Sequence, residues 1–279
     1  MKLRSWRGCW MEGALLLAAL IFFVAGWGLR PAPVRGFAAA PPAEGVFRVM
    51  TWNVGGSADG GRPLDDELID HVAATLRELA PHLVALQEVR SRRQAQRLVE
   101  RLGQDWRVEV GGRGEAPRVA LMMRGGNLQA RSWPGRNRLL FGLCRPPGEQ
   151  RSIAVAVLHA DAFSAQERNR AVGLAMDVLE RVPSLPRLLM GDLNFDLGLG
   201  RRQDLFSNDE HLDVESYNYL AERLRDAGEG GGSTAEPDRR LDYVFFSPEH
   251  FELLESGPLK GRRLKDMDHD PVVADLRPR

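Results

Sequence analysis

Short apolar runs, each bounded by Gly, Pro or charged residues, recur from Val46 to the C-terminus of the chain. Runs of this length, rich in Val, Leu and Phe, are typical of strands that are buried in a sheet. They predict strands over 46–54, 82–89, 186–194, 241–247 and 271–277, and over the sequences WRVEV, RVALMMR and RSIAVAVLH that lie between the second and third of these. The chain therefore has to fold around sheets that other layers cover.

Helix-like stretches are interspersed among these strands. Residues 63–80 place Leu and Val at helical spacing after an acidic first turn, and 92–102 is also predicted to be helical. The longest predicted helix, 164–182, begins at Ser164 with Glu167 three residues later, which is the spacing of a capping box. Because several strands follow one another without a helix between them, the order predicts an α/β fold of two mixed sheets, packed face to face with helices outside.

Composition bounds the size of the core and the class of partner. A chain of 279 residues with 43% hydrophobic content can bury a substantial core, as one large domain or two small ones. Residues 1–40 carry five basic side chains and one acidic side chain, which leaves 33 basic and 37 acidic residues, a net charge of −4, for 41–279. Proteins that clamp long nucleic acids usually show a basic surplus. The composition therefore gives no support for binding of long nucleic acids, although it is compatible with a local basic stripe.

The N-terminus has the pattern of a targeting segment. Lys2, Arg4 and Arg7 precede 17 uncharged residues, Gly13–Leu29. This order predicts either a cleaved signal peptide or an uncleaved membrane anchor over residues 1–29, and both place the remainder outside the cytoplasm.

A Pro/Ala/Gly-rich linker over 30–45 and a single domain over 46–279 are predicted to follow this segment. Cys9 precedes the apolar run, so Cys144 is the one cysteine of the exported part, and no disulfide can form within it. The domain must therefore be held together by its core.

Polar side chains stand where the predicted strands begin or end. These are Asn53, Glu88, His159, Asp192, Asn194, Asp242, Asp268 and His269. Strands deliver such residues to one edge of a core, and a converging set of carboxylates, amides and imidazoles suits the metal-assisted cleavage of phosphate esters.

That chemistry needs a cation, a base and a proton donor. Mg²⁺ prefers oxygen ligands, and Glu88 is a suitable carboxylate. Asp192 is a candidate base for the attacking water, with Asn194 two residues further on. An imidazole beside the phosphate can donate a hydrogen bond to a phosphate oxygen. Asp242 could hold the imidazole of His269 in the required tautomer.

Six segments in a fixed order resemble the endonuclease/exonuclease/phosphatase superfamily, to which deoxyribonuclease I is similar. They are TWNV (51–54), LQEV (86–89), LHADAFS (158–164), GDLNFD (191–196), RRLDYVFF (239–246) and MDHDPVVAD (267–275). The resemblance implies a four-layer α/β/β/α sandwich, deoxyribonuclease I-like, made of two mixed sheets flanked by helices. It also implies Mg²⁺, or Mn²⁺, as the cofactor.

The resemblance also implies a role for each residue. It makes Glu88 the principal metal ligand, with Asn53 and Asp268 beside it. The other five residues would be catalytic. Asp192 and Asn194 would activate and orient the attacking water. Asp242 and His269 would form the carboxylate and imidazole pair at the phosphate, and His159 would be a second phosphate-contacting imidazole.

Each motif also has a structural explanation. Asn53 and Glu88 could be ordinary strand-end residues, His159 a core histidine, and Asp192 with Asn194 an Asx turn. Asp270 is predicted to be a turn residue only. A solvated role is expected for Arg239 and Arg240, and no functional role for the histidines without a motif around them, which are His71, His82, His211 and His250.

The substrate is left open between two branches. The chain is expected to cleave phosphodiester or phosphomonoester bonds outside the cytoplasm, as a nuclease-like enzyme or as a phosphodiesterase of lipid head groups. It is expected to act as a monomer, with the membrane as a further partner of its N-terminus. The alternative is a membrane-tethered binding protein of the same fold that has lost catalysis; the complete set of site residues argues against it.

Overall fold

The structure is a computed structural model, and it describes Phe37, 40–55, 65–112, 118–132, 138–195, 197, 210–264 and 266–279. The predicted signal peptide or anchor, residues 1–29, lies outside these ranges. Within them, no helix is both long enough and apolar enough to cross a membrane.

The first sheet has six strands in the order β11-β12-β1-β2-β4-β3. Its strands are β1 Phe47–Asn53, β2 Leu83–Val89, β3 Trp106–Val110, β4 Arg118–Arg124, β11 Phe251–Pro258 and β12 Val272–Pro278. Only β1 and β2 run parallel, at the centre, and the outer pairs are antiparallel. The sheet is therefore mixed, as the sequence predicts.

The second sheet repeats this plan in the order β5-β6-β7-β8-β10-β9. Its strands are β5 Asn127–Ser132, β6 Leu139–Arg145, β7 Ile153–His159, β8 Arg187–Asp192, β9 Arg225–Asp226 and β10 Asp242–Phe246. The parallel pair is β7 and β8, again at the centre. In each sheet a helix connects the parallel pair, because parallel neighbours need a long crossover.

Four helices are described: α1 Asp66–Leu79, α2 Arg92–Leu102, α3 Ala165–Leu179 and α4 Glu210–Ala221. The N-cap side chains of Asp65, Ser91 and Ser164 each accept a hydrogen bond from a backbone N–H in the first turn. The cap at Ser164 confirms the helix start that the capping-box spacing predicts.

Three buried clusters separate four layers. One lies between α1, α2 and the first sheet, the next between the two sheets, and the third between the second sheet and helices α3 and α4. Along β4, Ala120 and Met122 face the helices while Leu121 and Met123 face the other sheet. The predicted α/β/β/α sandwich is confirmed.

One residue of the predicted linker packs on the domain. Phe37, within the predicted linker, is buried in the first cluster. The guanidinium carbon of Arg48 lies 4.6 Å from the centre of its ring, and the same guanidinium pairs with Asp275 through two bonds of 2.7 and 2.8 Å. The segment that leads into β1 is thus held to the domain by Phe37 and Arg48.

Replacing Gly191 by alanine is expected to destabilise the domain by about 3 kcal/mol or more. Gly191 has φ of 151°, and an added Cβ would overlap the carbonyl oxygen of Leu158 on the neighbouring strand β7. The matched control is Gly173→Ala in α3, where an added Cβ meets nothing within 4 Å, so a gain of about 0.5–1 kcal/mol is expected. Urea unfolding of both variants tests this, and equal effects would contradict it.

Candidate active site

The four central strands deliver polar residues to one edge of the sandwich. Asn53 ends β1, Glu88 lies near the end of β2, and His159 and Asp192 end β7 and β8. Asp192 is also the register partner of His159 on one side and of Asp242 on the other. The parallel pair of each sheet thus brings its carboxyl ends to the same place, as the sequence predicts.

Asn53 joins the two sheets at this edge. Its side-chain nitrogen donates to Glu88 Oε1 at 3.1 Å and to Asp192 Oδ2 at 3.0 Å. Its side-chain oxygen accepts the backbone N–H of Gly55 at 3.0 Å. A Cβ at Gly55 would overlap the Glu88 carboxylate, so this glycine leaves room for the acid. One amide therefore sets the spacing of a carboxylate from each sheet.

Glu88 is held in an unusual backbone conformation. The register of β2 against β4 shifts between Leu86 and Val89, and Glu88 lies in this irregular stretch with φ of 61°. A β-bulge of this kind re-aims one side chain out of the ladder, and a positive φ costs about 1–3 kcal/mol for a residue with a side chain. The sheet thus accepts strain that turns Glu88 toward the cluster.

His269 and Asp242 form a buried pair. His269 Nδ1 lies 2.8 Å from Asp242 Oδ2, and the two residues are 6% and 0% exposed. The indole N–H of Trp52 donates to the carbonyl oxygen of His269 at 3.2 Å. With Nδ1 directed at the carboxylate, Nε2 is the imidazole nitrogen that faces the other acids of the edge.

Asp192 lies between the two imidazoles. Its Oδ2 is 3.6 Å from His159 Nε2 and 3.7 Å from His269 Nε2. Its Oδ1 accepts the backbone N–H of Asn194 at 3.0 Å, and Asn194 has φ of 52°. This is the Asx turn that the sequence allows, and it coexists with the site because only Oδ1 is used. The side-chain nitrogen of Asn194 donates to the carbonyl oxygen of Ala160 at 3.2 Å.

The two histidines differ in charge at neutral pH. Burial by itself lowers the pKa of His269, but the carboxylates of Asp242 and Asp192 outweigh it and raise the pKa to about 10. Burial lowers the pKa of His159 to about 4; Asp192 opposes this shift and the charge of Arg138 adds to it. His269 is therefore an imidazolium and His159 a neutral imidazole.

A match to a family model covers most of this architecture. The sequence matches the model described as the Endonuclease/Exonuclease/phosphatase family over residues 50–262. The chain belongs to this family. A comparison with curated protein sequences found no significant match. The match starts in β1 and ends before Asp268 and His269, which the fold nevertheless brings to the same edge.

Solved structures of similar fold agree with this assignment. The catalytic domain of human nocturnin with bound sulfate is 18% identical, with a TM-score of 0.65 over 85% of this chain and 96% of that one. The mannosyl-6-phosphatase of Bacteroides thetaiotaomicron VPI-5482 is 16% identical, with a TM-score of 0.60 over 82% and 99%. A family protein of Beutenbergia cavernae is 23% identical, with a TM-score of 0.61 over 84% and 72%. At these identities the likeness concerns the fold.

Membership in the endonuclease/exonuclease/phosphatase family makes the chain an enzyme. The family consists of divalent-metal-dependent hydrolases of phosphoester bonds. Within the described residues, the side chains of Asp192, Asp242 and His269 offer ligand atoms within 4.8 Å of one another, close enough for a metal ion.

The donor set at Glu88 also fits a hard cation. Burial raises the pKa of Glu88; the hydrogen bond from Asn53 lowers it, and the charges of Asp192 and Asp268 raise it. Like charges gathered in a partly buried site disfavour ionisation, and a divalent cation removes that penalty. By contrast, a metal ion bound by His269 would have to be bound by Nε2, because Nδ1 is hydrogen-bonded to Asp242. The oxygen-rich side around Glu88 suits a hard divalent cation better.

Asp270 is more than the turn residue that the sequence predicts. It is fully buried, and its carboxylate pairs with Lys260 at 2.9 Å and with Arg263 at 3.0 Å. Its N–H donates to the carbonyl oxygen of Thr234 at 2.7 Å. Asp270 thus anchors the loop that carries His269, and that prediction was wrong. Arg263 and Lys260 lie seven and ten residues before Asp270, and no periodic pattern in the sequence pairs them with it.

The residues without a motif have structural roles where they are described. His71 Nε2 lies 2.7 Å from the carbonyl oxygen of Arg262, and His82 Nδ1 accepts the N–H of Arg48. His250 lies 3.2 Å from the hydroxyl of Ser247. The side chain of His211 is outside the described residues. Arg240 is not solvated, because it holds Asp226 with two contacts of 2.6 and 2.7 Å and stacks over Tyr243.

Two residues of the site have no motif in the sequence analysis. Arg138 precedes β6; its carbonyl oxygen accepts the N–H of His159, and its charge lowers the pKa of that imidazole. Thr234 donates its hydroxyl to Asp242 Oδ2 at 2.7 Å and accepts the N–H groups of Leu241 and Asp242 at 3.0 Å. A Thr eight residues before Asp242 of LDYVFF was the available signal for Thr234.

Replacing Thr234 by valine is expected to lower kcat by about 10–100-fold. Valine keeps the shape but removes the hydroxyl, so Asp242 loses a donor and two buried N–H groups lose their acceptor, at a stability cost of about 1–3 kcal/mol. Thr234→Ser retains the hydroxyl and should keep most of the activity. Kinetics with bis-p-nitrophenyl phosphate and urea unfolding test both variants, and equal kcat values for valine and serine would contradict the role of the hydroxyl.

Proposed function

We propose that this chain hydrolyses phosphodiester or phosphomonoester bonds with Mg²⁺, or Mn²⁺, outside the cytoplasm. The observation that carries the proposal is the compact polar cluster at the edge of the sandwich where these strands end, here called the catalytic edge. It links Asn53 to carboxylates of both sheets, places Asp192 between two imidazoles, and pairs His269 with Asp242. A base, an acid and cation ligands held close together are what phosphoester hydrolysis requires.

Glu88 would hold the cation, with Asn53 and Asp268 beside it. When bound, a divalent cation neutralises phosphate charge and makes a bound water more acidic. Asp268 contributes a partly exposed carboxylate that lies 3.9 Å from His269 Nε2. Asn53 keeps Glu88 and Asp192 at fixed separation, so the cation ligand and the base cannot drift apart.

The remaining residues would move protons and hold the phosphate. Asp192 Oδ2 accepts a proton from the attacking water, and Asn194 orients that water. The imidazolium of His269, oriented by Asp242, donates from Nε2 to a phosphate oxygen as negative charge builds in the transition state. His159, a neutral imidazole, makes the second phosphate contact from Nε2. Asp192 lies within 3.7 Å of both imidazoles, so base and donors act on the same phosphate.

The substrate is proposed to be a nucleic acid or a phospholipid head group. The net charge of −4 over 41–279 favours a short or small substrate over a long duplex. The experiment is an assay of the full chain with Mg²⁺, Mn²⁺ or Ca²⁺ against plasmid DNA, single-stranded DNA, RNA, sphingomyelin, inositol phosphates and bis-p-nitrophenyl phosphate. Metal-dependent cleavage that EDTA abolishes is expected. Silence across the panel in folded protein that binds Mg²⁺ would instead favour the catalytically silent binding protein.

Export of the domain is a separate part of the proposal. Residues 1–29 combine three basic residues with an uncharged run, which supports either a cleaved signal or an inner-membrane anchor. Fusion of a periplasmic reporter enzyme after residue 45 should give active reporter outside the cytoplasm. Membrane fractionation then separates the anchor from the cleaved signal, and a reporter active only in the cytoplasm would contradict export. The protein is expected to sediment as a monomer.

A further inference from the structure

A second pocket lies at the end of the sandwich opposite the catalytic edge. Its volume is about 690 Å³, within the range of small-molecule sites. Phe47 and Ile153, which begin β1 and β7, line it, as do His82 and Pro186, which precede β2 and β8. The catalytic residues stand at the other ends of these same four strands. The pocket is therefore separate from the site described above.

The apolar part of this pocket is flat and rigid. The rings of Phe47 and His82 are stacked with centroids 5.5 Å apart, and those of Phe47 and Phe251 with centroids 6.4 Å apart. Prolines complete the walls: Pro146, Pro147, Pro186 and Pro278. Phe47 and Phe251 are only 6% and 2% exposed, so they form the floor of the pocket behind the half-buried ring of His82. His82 and the prolines are the groups that another planar group can contact.

His82 adds a hydrogen-bond donor to this face. Its Nδ1 accepts the backbone N–H of Arg48 at 3.0 Å, so the proton of the neutral ring is on Nε2. Burial lowers the pKa of His82, and the charges of Arg124 and Arg48 lower it further, which keeps the ring neutral. The imidazole therefore offers one N–H without carrying a charge.

The charged part of the pocket is cationic. Arg124 is the last residue of β4, Arg151 precedes β7 and Arg279 follows β12, so arginines from three parts of the fold line the pocket. Among the described residues, none of the three forms an ion pair. The lining also holds two acids, Asp105 and Glu149, so the arginines exceed the acids by one. These two acids are exposed, as are Arg151 and Arg279, whereas Arg124 is half-buried. Guanidinium groups that lack carboxylate partners beside a planar apolar wall are suited to an anion on a flat body.

We propose that this pocket binds a small organic anion, a carboxylate, sulfonate or phosphate carried on a flat apolar ring. The ring lies against His82 and the prolines, above the floor that Phe47 forms, and Arg124 and Arg151 receive the anion. The inference is independent of the proposed hydrolysis, because it uses no residue of the catalytic edge.

Titration of the full-length protein with anilinonaphthalene sulfonate, a planar ring system with one anion, tests the proposal. Saturable binding at one site per chain is expected. Arg124→Glu should weaken it by at least about tenfold, which corresponds to about 1.4 kcal/mol, and Arg151→Glu should weaken it in the same direction. The control is Arg107→Glu, an exposed arginine of β3 outside the pocket, which should leave binding unchanged.

Two further measurements separate the outcomes. Neutral phenylnaphthylamine should bind at least tenfold more weakly than the sulfonate, and phosphoester hydrolysis by Arg124→Glu should match the unaltered protein, which shows that the variant is folded. Equal affinity for the neutral and anionic probes, equal binding by Arg124→Glu, or no saturable binding would each overturn the proposal. Loss of the probe signal in His269→Ala would place the probe at the catalytic edge and would also overturn it.

Discussion

Replacing His269 by alanine is expected to lower kcat for phosphoester hydrolysis by about 10³-fold. Positioned proton donors and charge-stabilising groups each contribute about 10²–10⁴ to such reactions. His269 can serve in both ways because Asp242 and Asp192 raise its pKa to about 10, which keeps it protonated at neutral pH. Its Nε2 lies 3.7 Å from Asp192, so the donor and the base face the same small volume. Initial rates with bis-p-nitrophenyl phosphate and Mg²⁺ measure the loss.

The matched control is His250→Ala. His250 is partly buried and contacts Ser247 beside the opposite end of the sandwich, so its loss should leave kcat within about twofold, as expected for a residue far from the chemistry. Far-UV circular dichroism of both variants checks that they are folded. Retention of more than a tenth of the activity in His269→Ala, or equal losses in the two variants, would contradict the assignment.

Much of the fold could be predicted because its signals are local. Buried strands show as short apolar runs, and helices show as periodic patterns with caps. The order of these strands and helices excludes a simple alternation of strand and helix. The polar residues at strand ends could be found for the same reason, since a strand that ends in Asn, Glu, His or Asp carries that residue to an edge. Asn53, Glu88, His159 and Asp192 were all predicted in this way and lie together.

The parts that could not be predicted depend on side-chain contacts made across loops. Asp270 looks like a turn acid until Lys260 and Arg263 are placed against it. Thr234 lies in a Gly-rich stretch that reads as a loop, yet its hydroxyl holds Asp242 and its carbonyl oxygen holds the residue after His269. Burial and partner identity are tertiary properties, so neither periodicity nor composition contains them.

Glu88→Gln is expected to abolish most of the stabilisation of the protein by Mg²⁺ and to lower metal-dependent kcat by about 10²-fold or more. A ligand that binds only the folded state stabilises it by about 2.7 kcal/mol at a hundredfold excess over Kd. For a domain of this size that stabilisation raises Tm by about 5–10 °C. Glutamine keeps the side-chain oxygen that accepts from Asn53 but carries no charge, so it removes the cation ligand with little change in shape.

The same substitution should have the opposite effect on the metal-free protein. Burial and the nearby charges of Asp192 and Asp268 raise the pKa of Glu88, which means that its ionised form is disfavoured in the folded state. At neutral pH, a neutral glutamine relieves this repulsion, so Tm in EDTA should rise in Glu88→Gln while the increase caused by Mg²⁺ disappears. The control is Glu109→Gln, which should keep the full response to Mg²⁺. Glu109 lies on β3, and its partly exposed carboxylate is 3.6 Å from the guanidinium of Arg92. Thermal melts with and without Mg²⁺ decide the question without any assay of activity.

A Glu88→Gln protein that still gains 5–10 °C with Mg²⁺ would indicate that the cation binds at the other ligand group of this edge, Asp192 with Asp242 and His269. A lower Tm in EDTA would show instead that the Glu88 carboxylate stabilises the fold and is not poised for a cation.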